Sequence, residues 1–84
     1  MTDEYVGPPA KARDLRPRQL AVAALIARAK TDQQIGAELG MSDRRVRVHV
    51  AALAYRLHLD MSRNVRIQIA LWWRDQLPDM RQAS

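Results

Sequence analysis

Residues 42–57, SDRRVRVHVAALAYRL, admit two secondary structures, and the choice between them decides the fold class. Val46, Val48 and Val50 alternate with Arg47 and His49 as in a half-buried strand, and β-branched residues favour that geometry. Val46, Val50, Leu53 and Leu57 also recur at helical spacing, behind Ser42, which suits a helix cap. A helix accounts for the longer stripe but leaves Val48 with no core to enter. Its place is then on the outer surface, among arginines.

Length and composition limit what such a helix can belong to. Eighty-four residues support one modest core and no second domain, and an enzyme of that size would be unusual. The chain has no cysteine, so neither a disulfide nor a thiolate metal site can supplement that core. No apolar run approaches the roughly 18 to 20 residues of a membrane span, and the acidic start lacks a signal peptide's pattern. A cytoplasmic protein is expected. The net charge is +5, and it is concentrated: six arginines and a single acid, Asp60, lie between Arg44 and Arg66. Clustering of that kind suits a polyanionic partner.

The remaining segments predict an all-α domain of four helices. Residues 1–14, with Gly7, Pro8 and Pro9 and no period, are expected to form a flexible arm with Tyr5 as its one anchor. Pro17 suits the first position of a helix running to about Ala29, with Leu15 and Leu20 as a hydrophobic staple and a small-residue face of Leu20, Ala24 and Ala27 flanked by Ala23 and Leu25. Thr31 and Gln34 have capping-box spacing for a short second helix ending at Gly40, where Gly36 lets a crossing helix approach beside Ile35 and Leu39. The third helix follows Ser42 to near His58. A fourth is expected from Ser62, with Asp60 and Asn64 as alternative caps, to just before Pro78. The folded domain is then residues 15–78, with 79–84 as a flexible tail.

A short helix, a glycine turn and a longer helix opening with arginines have the build of a helix-turn-helix, whose second helix enters the major groove. At about 100° per residue, Arg44, Val48, Ala51, Ala52 and Tyr55 lie opposite the core stripe, with Arg45 and Arg47 on its shoulders. Arginine can contact guanine through two hydrogen bonds, valine can pack on a thymine methyl, and alanines let a helix sit deep. These seven residues are the candidate base-reading surface. Val48 finds its explanation there.

The run LRPRQLAVAALIARAKTDQQIGAELGMSDRRVRVHVAALAYRL resembles the LuxR/GerE-type DNA-binding domain, whose members read L-T-P-R-E, S-N-K-E-I-A, I-S and T-V-K-x-H-V at corresponding places. The likeness extends from Leu15 to about Leu59 and resumes in RIQIAL, so the chain resembles a stand-alone reader. It implies a four-helix domain binding double-stranded DNA, with Thr31, Asp32 and Gln33 near a phosphate and Arg45, Arg47, Val48 and Ala51 toward the groove. Arg63 and Arg66 are added as candidate phosphate contacts. The chain departs from the family at Gln19 (usually glutamate), Ala29 and His58 (usually glycines), Gln33 (usually lysine) and Arg45 (usually threonine).

No catalytic constellation is apparent. Ser42 and Ser62 are read as caps, the acids are scattered, and neither His49 nor His58 has companions at metal-ligand spacing, so no metal, cofactor or enzymatic role is expected. In the last helix, Val65, Ile69 and Trp72 form a core stripe, while Ile67, Ala70, Leu71 and Arg74 form a second, nearly opposite one. That second stripe implies a partner surface. The resemblance implies a homodimer through this helix, reading an inverted repeat. Two further readings remain: an adaptor for RNA polymerase or a regulatory protein, and a sigma-factor region 4-like promoter reader.

Overall fold

Each helix starts where a proline or a side-chain hydrogen bond sets it. The computed structural model describes residues 8–83, with side chains through Leu77, as four α-helices, one short 3₁₀ turn at Ala12–Asp14 and no strand. Helix α1 (Pro17–Ala27) has its proline at the first position. Before α2 (Asp32–Leu39), Thr31 Oγ1 accepts from the Gln34 amide at 3.1 Å while the Thr31 amide donates to Gln34 Oε1 at 2.9 Å. That is the expected capping box. Helix α3 (Asp43–Arg56) opens on Ser42, whose Oγ accepts from the Arg45 amide at 3.1 Å. Helix α4 (Val65–Ala83) opens on Asn64, whose Oδ1 accepts from the Ile67 amide at 3.2 Å.

The first three helices end alike. A residue with positive φ follows each, Ala29 (63°), Gly40 (70°) and His58 (57°), and a backbone bond five residues long closes the turn. Lys30 N donates to Leu25 O at 3.1 Å, Met41 N to Gly36 O at 2.9 Å, and Leu59 N to Ala54 O at 3.0 Å. Glycine adopts this conformation freely, whereas an L-residue is disfavoured there by about 1 to 2 kcal/mol. Ala29 and His58 therefore hold their turns against a local steric cost.

Every helix contributes to one apolar core. Val22 from α1, Ile35 from α2, Val46 and Leu53 from α3, and Ile69 from α4 are fully buried, each worth roughly 1.5 to 3 kcal/mol of transfer free energy. Helix α1 packs chiefly on α4, and α2 chiefly on α3. Gly36 is buried where the turn folds back: a Cβ there would collide with the Met41 carbonyl. The expected crossing helix is thus a crossing turn, and the close approach is of backbone to backbone.

Several boundaries depart from expectation. The inward face of α1 is Val22, Ala23, Leu25 and Ile26, with Leu20, Ala24 and Ala27 only half-buried, because the branched side chains remove more apolar area from water than the alanines. Residues 10–14, expected in a flexible arm, are docked. Ala10 is buried, its amide donates to the Arg56 carbonyl at 3.0 Å, and its carbonyl accepts from Trp72 Nε1 at 3.2 Å. The Ala12 amide donates to Gln76 Oε1 at 3.0 Å. Tyr5, the expected anchor, lies outside the described residues.

Ser62 does not cap the last helix. Asp60 holds the preceding turn instead, accepting from the Ser62 amide and hydroxyl, while Gln68 reaches back to the Asp60 backbone. Helix α4 also continues through Pro78 to Ala83, past its expected end, since proline's fixed φ is itself helical and the loss is confined to one intrahelical bond and a local clash. That extension takes in residues 79–83 of the expected tail; Ser84 lies outside the described residues.

The turn geometry predicts opposite signs for two similar substitutions. Gly36→Ala should lower stability by about 1 to 3 kcal/mol through overpacking against backbone. Ala29→Gly should raise it by about 1 kcal/mol by relieving the left-handed penalty, both read from urea unfolding midpoints at constant slope.

Candidate nucleic-acid interface

The geometry of the α2–α3 connection determines which side of α3 faces out. Three residues, 40–42, separate the two helices, and burial of Val46, Leu53, Ala54 and Leu57 fixes the rotation of α3. Val48 is then 62% exposed, and Arg44, Arg45, Arg47 and Ala51 are exposed around it. Tyr55 is 48% exposed at the far end of the same face, and Ala52 is half-buried on its edge. Sequence periodicity therefore places the outward residues correctly. A largely exposed valine amid three exposed arginines of one helix is an apolar contact point inside a cationic surface.

The residues expected near phosphate divide into two groups. Thr31, Gln33 and Arg63 are exposed, and Arg63 Nε lies 3.4 Å from Asp60 Oδ2 in a surface pair. Asp32 and Arg66 are instead half-buried and bound to each other, with Arg66 Nη1 2.6 Å from Asp32 Oδ1. The second terminal nitrogen of Arg66 donates to the Lys30 carbonyl. Both terminal nitrogens of this guanidinium have partners within the fold, so Arg66 and Asp32 also serve the packing. Their role is to tie the start of α4 to the start of α2.

His49 is half-buried on the flank of α3. Burial lowers its pKa below the ordinary 6.5, and the positive charges of Arg45 and Arg18 push it the same way. The neutral imidazole is favoured in the folded chain. Sequence reasoning passes over Arg16 and Arg18, which line a concave cleft of about 1010 Å³ with Arg45, His49 and Arg56. Arg18 Nη1 donates to the Leu39 carbonyl at 2.9 Å, placing its charge at the end of α2 beside the turn. The missed signal was local: cations are disfavoured at a helix N-terminus, yet arginines flank Pro17 on both sides.

The second stripe of α4 lies away from this surface. Ile67 is 58% and Leu71 53% exposed, and with Ala70 and Arg74 they border a shallow groove shared with Ala24 and Ala27 of α1. Nothing in the docked residues 10–14 or in the α3–α4 loop covers Ile67 and Leu71. Among the described residues no helix is long and apolar enough to cross a membrane. No protein-family model, curated protein or solved structure matches the chain.

The Arg66–Asp32 pair predicts a separation of stability from binding. Arg66→Gln should lower stability by about 1 kcal/mol, the scale of a half-exposed pair, while leaving the salt dependence of any polyanion binding unchanged. Urea unfolding and a salt titration on the same preparation check both halves.

Proposed function

We propose that the chain is a sequence-specific double-stranded DNA-binding transcriptional regulator of the LuxR/GerE-type helix-turn-helix build, with α3 in the major groove. The observation that carries this reading is the outward face of α3: exposed Val48 with Arg44, Arg45 and Arg47 around it and small Ala51 behind. A helix about 10 to 12 Å across fits a groove about 12 Å wide only if its leading face lacks bulk in the middle. Arg44, Arg45 and Arg47 suit guanine edges, Val48 suits a thymine methyl, and Tyr55 lies near the groove's exit. Thr31, Gln33 and Arg63 stand exposed for the phosphates. On this reading the chain acts in the cytoplasm, on the nucleoid when bound.

The α4 stripe supports a homodimer as the DNA-bound form. Two copies joined about a two-fold axis would present two α3 helices to half-sites about one helical turn apart. The same exposed Ile67 and Leu71 favour the second reading, an adaptor that docks RNA polymerase or a regulatory protein through α4. A sigma region 4-like promoter reader is a variant of it and would bind promoter DNA only with a polymerase partner.

Mobility-shift assays on genomic fragments separate these readings. The regulator binds duplex at low salt without a partner, and absence of binding leaves the adaptor. Once a preferred site is selected, Arg47→Ala should cost about 1 to 3 kcal/mol on it and much less on random duplex, and Val48→Ser should change the preferred sequence at one position. Equal losses on both duplexes would make Arg47 a phosphate contact. For the dimer, Leu71→Arg should abolish cooperative occupation of two half-sites while leaving helicity intact, read by footprint length and circular dichroism.

A further inference from the structure

The cleft between the start of α1 and the flank of α3 draws arginines from two helices onto one concave surface. Arg16 enters from the cap of α1, Arg18 from its first turn and Arg45 and Arg56 from α3, and among the described residues no acid lines it. Its wall on the α3 side is a row at helical spacing, Arg45, His49, Ala52 and Arg56, directly beside Val48. This row is a different edge of α3 from that of Arg44 and Arg47. A concave surface that gathers arginines from two helices in this way is complementary to an anion that spans it.

We propose that this cleft is a phosphodiester-binding site, gripping one DNA strand beside the groove that α3 occupies, with Arg16 and Arg18 as its outer contacts. The proposal rests on the DNA-binding reading and adds to it a second helix that touches the duplex. Three observations favour a phosphate backbone over an acidic protein segment. The cleft is continuous with the surface assigned to bases, through Val48 and Arg45. Ala52, a small side chain between His49 and Arg56 in that wall, adds no bulk between the cations. It also reaches the turn at Gly40 and Met41, so that α1, the turn and α3 would meet one strand together.

His49 makes the site responsive to protons. The groups around it are Arg45 and Arg56 from its own helix, Arg16 and Arg18 from α1, and the Leu39 carbonyl, bonded to Arg18, at the end of α2. Burial and the neighbouring cations hold the imidazole neutral in the free protein. A phosphate in the cleft offsets that positive potential and raises the affinity of His49 for a proton. Binding then takes up a proton, so affinity rises as pH falls toward and below the ordinary histidine value.

Fluorescence anisotropy of the full chain on a labelled duplex tests the site through the slope of log affinity against log salt. Arg16→Gln, at an exposed position, should reduce that slope by about one phosphate contact's worth, roughly 0.9, and weaken cognate and random duplex alike. Arg13→Gln, exposed in the 3₁₀ turn and outside the cleft, should leave the slope unchanged. His49→Gln should flatten the rise in affinity between pH 7.5 and 5.5, with circular dichroism confirming the fold of each variant. If the wild-type chain binds duplex and Arg16→Gln keeps the wild-type slope, the cleft proposal is overturned and the reading of α3 stands. If the wild-type chain binds no duplex at low salt, both are overturned; if Arg16→Gln weakens only the cognate duplex, Arg16 reads bases and the phosphate assignment is wrong.

Discussion

The Met41 carbonyl rests where a side chain at position 36 would be, and this contact sets the relation of α2 to α3. Glycine at 36 admits the turn, positive φ at Gly40 reverses the chain, and Ser42 starts α3 within three residues. With the turn so short, the direction in which α3 leaves α2 has little freedom. Burial of Val46 and Leu53 then fixes its rotation. The outward position of Val48 follows from packing several residues away, and a larger residue at 36 would disturb the outward face of α3 without touching it.

Charge in the molecule is divided between groups that hold the fold and groups that are presented. Arg66 is spent on Asp32 and the Lys30 carbonyl, and Arg18 partly on the Leu39 carbonyl, so both brace the ends of α2. Arg44, Arg45 and Arg47 stand exposed along α3. Burial of Val46, Leu53, Ala54 and Leu57 anchors the helix that carries them, which leaves these arginines outside the packing that positions them. On the proposed reading such a surface is preorganised, since little besides side-chain order would change when an anion binds.

Local signals in the sequence predicted local structure well. The capping box of Thr31 and Gln34, the Ser42 cap and the Gly40 turn each depend on residues within three or four positions, and each is present. The stripe Val46, Leu53, Leu57 and the outward Val48 were equally legible, because large apolar residues fix a helical face. Helix α1 was misjudged by a rotation, since its alanines give almost no contrast between faces. What escaped entirely depends on partners far along the chain: Ala12 with Gln76, Ala10 with Trp72, and Asp32 with Arg66. No spacing rule links residues more than thirty positions apart. The arginines beside Pro17 are a local signal, but that they line one cleft with Arg56 depends on the fold.

The outward face of α3 is proposed to meet DNA bases. Backbone amide shifts of the isotopically labelled chain, followed by nuclear magnetic resonance as a selected duplex is added at low salt, test it residue by residue. The largest shifts are expected at Arg44, Arg45, Arg47, Val48 and Ala51, with a separate set at Ile67 to Arg74 where two copies pair on the duplex. Large shifts confined to α4, or none at any residue of α3 when duplex is bound, would contradict it.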